Sequence, residues 1–537
     1  MKDLFFWNNW HKYNKTTYNI LLGLFLFSLV LYTLAYFFGE SFAISFATVK
    51  EFETLKTIVD EFTSAMLTFS VDADTYITKQ RFYAEEIQLL PANSYTYLIL
   101  VFIAILFLLT IITYLELIFY VAGMLVFLVF IVTMNTELLA IFNTEKNVFT
   151  IALFLLYGGA SYYFYAFNKN ISFVKRLLTF TAITILAAVA IAIGSDTSHP
   201  FVFIANFSIG IPILLTIVFI ITIAFDIVQG FLYITTLSKS GGGKNSLINF
   251  SVITILYLVN LLFLLLKKML YIDWDILYLH PLLILPISAV IGIYAVRQRA
   301  PLSSKLISFN PLGAFLYLGL AIIAFTTIAY ALITYNHPLI EAFEYAIIYT
   351  HLGFGFIYFL YILINFGDYF SKGLPIYKVA YQPRRTPFFL VRGMGVVIAL
   401  ALLFRSNAFA YYLALSGYYN AGGDAYKIAD DLTLAKEYYK NGVRYEYQNP
   451  RSNFSVAYLA QQEGDQKTAQ EYYTRSLIKH PTVQTYINLS NLYYEQNMLF
   501  PAIFTLKDGL IRYPESAEIH NNLGILYNET KLLDSTV

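Results

Sequence analysis

Imidazole and carboxylate groups gathered at one water-facing surface can hold a divalent cation or move a proton. Three His-Pro pairs, His199-Pro200, His280-Pro281 and His337-Pro338, recur between long apolar runs of this chain. Acidic groups accompany them at Asp196, Asp273, Asp275, Glu341 and Glu344. Two further acidic pairs, Asp60-Glu61 and Asp72 with Asp74, stand in a long polar stretch nearer the N-terminus. Asp60, Glu61, Asp72, Asp74, His199, His280 and His337 are therefore the weak candidates for catalysis, with no metal or cofactor assigned to them. The simpler reading of His-Pro is a helix boundary at a membrane interface, since Pro fits the first turn of a helix.

Inside the apolar runs, Asp226, Gln229, Asn260 and His351 are the notable polar residues. A carboxylate within a membrane is costly and is a functional candidate by default. Asp226 lies toward the inner end of its run, where snorkelling to the interface is the alternative. His351 suits an interhelical hydrogen bond. The stretch 238–246, Ser-Lys-Ser-Gly-Gly-Gly-Lys-Asn-Ser, echoes the end of a phosphate-binding loop. Ser238 stands where the first Gly belongs and no strand precedes it, so it reads as a flexible loop. No zinc-protease helix, nucleophile elbow or dinucleotide fingerprint is present. Cys is absent, which removes disulfides, thiolate metal sites and thiol nucleophiles together.

The elements that must position these residues follow from composition. Of 537 residues, 58% are hydrophobic and 13% charged, and the mean hydropathy is +0.61. Soluble domains are nearer 25% charged. The formal charge of +1 excludes a strongly basic nucleic-acid binder. Apolar runs long enough to cross a hydrocarbon core of roughly 30 Å lie near 18–38, 95–113, 117–134, 148–167, 178–194, 204–235, 247–266, 281–296, 312–335, 345–366 and 393–404. The fold class expected is all-α, a polytopic helical bundle of about eleven spans over 1–407. The first span is too long for a signal peptide core. Trp7, Trp10, Lys12 and Lys15 before it suit a short interfacial segment.

With the N-terminus placed inside, sixteen Lys and Arg fall on the inner side, Arg176, Arg297 and Arg299 among them. Eight fall on the outer side: Lys50, Lys56, Lys79, Arg81, Lys146, Lys267, Lys268 and Arg405. That asymmetry supports an N-in orientation, and an odd number of spans then puts the C-terminus outside. The long outer loop, 39–94, carries four basic against nine acidic residues, a balance of −5. Within it, 48–67 reads as an amphipathic helix, with Val49, Phe52, Leu55, Ile58, Val59 and Phe62 near helical spacing.

After about Asn407 charges return, and a period of about 34 residues appears. Ala435, Ala469 and Ala502 recur, each followed four residues on by Tyr439, Tyr473 or Leu506. Ala457, Ser490 and Gly524 recur likewise, and Pro450, Pro481 and Pro514 punctuate the units. Small residues let paired helices approach closely while a large one fills the gap to the next pair. The matches Asn488-Leu489…Tyr493, Asn522-Leu523-Gly524…Tyr527 and Gly464…Ala469…Tyr473…Pro481 resemble the tetratricopeptide repeat (TPR). The resemblance implies an α-solenoid over 408–537, with units near 411–449, 450–482, 483–516 and an incomplete 517–537. A further unit is expected beyond Val537, because a lone first helix leaves its apolar face uncovered. Such repeats imply a concave groove for a peptide, lined here by Arg451, Tyr458, Asn488, Asn491, Tyr494, Asn521 and Asn522. Asn491 and Asn522 match the amide positions of the family's carboxylate clamp, and Ile487 stands where its first Lys belongs.

The leading expectation for function is an integral membrane scaffold in cell-envelope assembly. It would present an extracytoplasmic groove to a protein or peptide partner, from a bacterial inner membrane. The alternatives are a glycosyltransferase or ligase acting on lipid-linked sugars, suggested by a layout similar to the transmembrane-and-tetratricopeptide O-mannosyltransferases, and a transporter built on Asp226 and His351. Whether the chain is an enzyme stays open on sequence alone.

Overall fold

The computed structural model describes residues 5–530 apart from 44, 65–66, 145–146, 238–244, 275–277, 304–305, 371, 373 and 383–384. Asp275, most of the Gly-rich loop and the tail with Leu532, Leu533 and Val537 lie outside the described residues. The chain divides into two compact units. One comprises Met1–Gly39 and Leu90–Tyr438, the other Glu40–Leu89 and Tyr439–Val537.

In the first unit, ten helices among the described residues are long and apolar enough to cross a membrane. They number eleven if Phe389–Arg405 and Phe409–Ile428, which meet at 77°, form one broken span. The centre of the unit is Phe309–Ile333, whose most apolar stretch is 83% buried, against 17% for that of Phe173–Gly194. Leu155, Ile118 and Ile193 are more than 70% exposed on such peripheral helices. Soluble monomers do not display continuous apolar faces of this extent. A bilayer supplies the missing cover, and the chain is a multi-pass membrane protein.

Backbone groups in hydrocarbon need internal partners, and side chains supply them where a helix breaks. In Pro281–Ser303, Pro286 has no N–H to give to the Leu282 carbonyl; the Tyr32 hydroxyl donates to it instead. The Gly210–Thr236 span is interrupted between Ile223 and Asp226. The Ser288 hydroxyl donates to the Ile223 carbonyl there at 2.6 Å. Arg176, which the orientation count treats as a loop charge, is buried. Its guanidinium donates to the carbonyls of Thr113, Asn168, Lys169 and Ile171 and lies 4.0 Å from the Tyr114 ring centre.

The second unit departs from the all-helical expectation. The stretch 48–67 is not an amphipathic helix. It is strand β1, Phe46–Ser64, paired antiparallel with β2, Leu67–Ala84, from Phe46 opposite Ala84 to Ser64 opposite Leu67, with a bulge between Ile58 and Asp60. The reason lies in the residue types. Thr48, Val49, Thr54, Thr57, Ile58, Val59 and Thr63 are β-branched and favour an extended backbone, and β2 mirrors them with Thr68, Val71, Thr75, Ile77 and Thr78.

The rest of this unit includes the helices Pro450–Gln462, Gln466–Ser476, Val483–Glu495, Leu499–Arg512 and Ala517–Glu529, each packed on the next. Side chains of Asn449, Asp465, Thr482 and Ser516 cap four of them by accepting from the N–H three residues on. Gly464, at φ +80°, makes the turn between the first two. Ala469 and Ala502 are fully buried, as are Tyr473 and Leu506. Ser490 donates to the Ala502 carbonyl at 3.0 Å. Gly524 differs, because a Cβ there would meet nothing within 4 Å.

Two substitutions separate these environments. Ala469→Leu should destabilise by about 1–3 kcal/mol through overpacking, while Gly524→Ala should stabilise by about 0.5–1 kcal/mol through helix propensity. Thermal unfolding of the detergent-solubilised chain checks both, and shifts of the same sign would contradict the packing described.

Candidate functional site

The second unit places its asparagines on the free edge of β2. A strand turns the main-chain groups of alternate residues to the same edge. Arg81 and Tyr83 stand opposite Val49 and Ala47 of β1, while Gln80, Phe82 and Ala84 face the helices. The Ala84 N–H donates to Asn488 Oδ1 at 2.8 Å, and Asn488 Nδ2 returns a bond to the Ala84 carbonyl at 2.9 Å. Two residues back, the Phe82 N–H donates to Asn522 Oδ1 at 2.8 Å. The Phe82 carbonyl accepts from Asn522 and Asn491 at 2.8 and 2.9 Å. Asn521 donates to the Gln80 carbonyl at 2.7 Å. A primary amide offers the same donor and acceptor as a peptide group, so these side chains stand in for a third strand. Asn488 and Asn522 are one 34-residue period apart and grip residues two apart, one pleat of the strand per repeat.

Side chains add charge to this main-chain contact. Lys79 pairs with Glu529 and, at 2.6 Å, with Glu53 of β1. Partial burial works against its ammonium, but the two carboxylates outweigh it and its pKa is pushed up to about 12. Its contribution to stability is present at neutral pH and is lost only as pH rises through that value. Arg81 pairs with Glu51 at 3.1 Å and lies 4.5 Å from the Tyr494 ring centre. Tyr458 lies beside Glu85 and Glu86; its burial and then these carboxylates raise its pKa. Tyr473, buried behind, donates to Gln461 at 3.0 Å and accepts from Asn488 at 3.2 Å, which orients that amide.

Of the seven residues expected to line a groove, Asn488, Asn491, Asn521, Asn522, Tyr494 and Tyr458 meet the hairpin or the turn after it. Arg451 is fully buried. Asn491 and Asn522 hold a main-chain carbonyl in mid-strand here, with no terminal carboxylate involved. The strand partner, Lys79 to Ala84, and Glu529 were not among the candidates. The carboxylates of Asp60, Glu61, Asp72 and Asp74 are exposed on the outer part of the hairpin, where Asp72 stands opposite Ile58 and Asp74 opposite Lys56.

In the first unit the three histidines each precede or begin a helix, in different settings. His199 is exposed before Pro200–Phe207. His337 packs edge-on to Tyr335, ring centres 4.9 Å apart. His280 Nε2 lies 3.3 Å from Glu344, whose other oxygen pairs with Lys268. Burial lowers the His280 pKa and Lys268 lowers it further, against the pull of Glu344. Asp226 does not snorkel. It is fully buried and faces Arg299, with nitrogen–oxygen distances of 2.7 and 3.0 Å. Arg299, counted in sequence as an inner-loop charge, is thereby its counter-ion. Gln229, one turn on, donates to Gln298 at 2.8 Å and accepts from the Tyr381 hydroxyl. His351 is buried and bonds the Ile347 carbonyl of its own helix through Nδ1 at 3.0 Å. No protein-family model matches the chain, and no curated protein matches it.

Breaking the buried pair by Asp226→Asn or Arg299→Gln should cost about 3–5 kcal/mol, and replacing both by apolar residues should recover most of it. Unfolding midpoints in detergent read this directly, and unchanged single variants would contradict it. At the strand edge, Asn522→Ala removes both bonds to Phe82, worth about 1–3 kcal/mol. Tryptic cleavage after Lys79 and Arg81 should then rise at least about five-fold, and by less in Asn521→Ala. No change in Asn522→Ala would contradict the grip.

Proposed function

We propose that the protein is a membrane-anchored scaffold whose C-terminal helices are tetratricopeptide repeats that bind an extended segment of a partner protein. The single observation that carries this reading is the asparagine grip on β2, in which two amides from each of two helices complete the edge of an extended chain. That contact is made to main-chain atoms, so it does not depend on one sequence, and a segment from another protein can use it. The loop charges favour an N-terminus inside a bacterial cytoplasmic membrane and a groove on the far side, in the service of envelope assembly. Transfer of lipid-linked sugar has less support, since the hairpin carboxylates are exposed and the histidines stand in three different settings. Transport through Asp226 has less too, because Arg299 already holds its carboxylate.

The reading is tested by cross-linking in native membranes, followed by purification of the chain. The Asn488→Ala/Asn522→Ala double variant should insert normally yet recover less than about a tenth of the partner recovered by the natural chain. Equal recovery would overturn it.

A further inference from the structure

The groove is already filled by the chain itself, and the fit is specific in some places and poor in another. Specific contacts are made by Lys79 with Glu529, by Arg81 with the face of Tyr494, and by Ala84, whose side chain is wholly buried. Arg81 Nη1 also approaches Asn491 Oδ1 at 3.4 Å. The poor fit is a cavity of about 290 Å³ left beside the strand, bordered by Arg81, Tyr458, Gln461, Gln462, Asn491 and Glu495. Its lining is about half polar and half apolar, and a strand with a longer side chain has room there that β2 does not use. Glu495 and Glu529 give the helices that meet the strand an acidic character which suits a basic ligand.

A two-stranded ribbon is marginal by itself, so the grip at its base is a substantial part of what orders it. Yet the same grip uses main-chain atoms that any extended segment carries. A competing strand loses nothing in the asparagine contacts and can gain by filling the cavity.

We infer that the groove selects an extended segment of a partner protein bearing two basic side chains two residues apart and a small residue three further along, and that the chain's own Lys79–Ala84 occupies it as a displaceable competitor. This rests on the proposed peptide-binding function and adds to it the chemistry of the partner and a mode of control. The partner must displace β2 before it can bind, so apparent affinity is set by the difference between two strands.

The test uses the full chain in detergent and a fluorescent peptide of residues 78–85, Thr-Lys-Gln-Arg-Phe-Tyr-Ala-Glu. Two altered peptides accompany it, one with Glu in place of both basic residues and one with Trp in place of Ala. A Lys79→Glu/Arg81→Glu chain, with its own strand weakened, should bind the natural peptide at least ten-fold tighter than the unaltered chain does. Both altered peptides should bind that variant at least ten-fold more weakly than the natural one. Equal binding of all three would overturn the selectivity while leaving the peptide-binding reading intact. No binding of any peptide, with the strand shown by amide exchange to be released, would overturn both. A second measurement does not need the variant to fold. Excess natural peptide added to the unaltered chain should speed amide exchange at Phe82 and Ala84 several-fold, and unchanged exchange at saturating peptide would overturn displacement.

Discussion

A backbone N–H or C=O withdrawn from water must find a partner, and this chain meets that demand with side chains wherever a regular ladder fails. Tyr32 serves the carbonyl orphaned by Pro286, and Ser288 serves Ile223 at a helix break. Arg176 gathers three carbonyls of the turn before its helix and that of Thr113 at the end of another. The asparagines of the C-terminal helices do the same for the open edge of β2. The first two contacts fall among apolar helices, where an unmet group costs most, and the third secures a polar turn between two helices. The fourth is made at the edge of a hairpin, where the Ala84–Asn488 bonds are buried and the Asn521 bond is exposed.

The buried Asp226–Arg299 pair belongs to the same logic. Two charges withdrawn from water are tolerable only when each neutralises the other. Asp226 opens the second half of a broken span, where the helix dipole also favours a carboxylate. Gln229, Gln298 and Tyr381 continue the polar contacts along that end of the bundle. The carboxylate that stands out in the sequence has Arg299 as its counter-ion.

Much of the architecture was legible in the sequence, because apolar run length and a 34-residue period are properties of single segments. The membrane helices fall close to where hydropathy placed them. The asparagines stood out because they recur in register on one helix face. What stayed hidden depends on pairing between distant segments. Arg299 looked like a loop charge because nothing local marks it as the mate of a residue 73 positions earlier. The hairpin looked helical because Val49, Phe52, Leu55, Ile58, Val59 and Phe62 match a helical stripe, and spacing outweighed the β-branched composition of 46–64. The contact of Ala84 with Asn488 joins residues 404 positions apart, and no periodicity reports such a contact.

The grip on β2 makes a demand that alternates along the strand, and amide hydrogen exchange resolved to single residues reads it. Phe82 and Ala84 point their N–H groups at asparagines, while Tyr76 and Thr78, in the same register further out, point theirs at the open edge. Exchange should be slow at Phe82 and Ala84, comparable to Arg81 and Tyr83, and fast at Tyr76 and Thr78. Exchange at Phe82 and Ala84 as fast as at Tyr76 and Thr78 would contradict the grip.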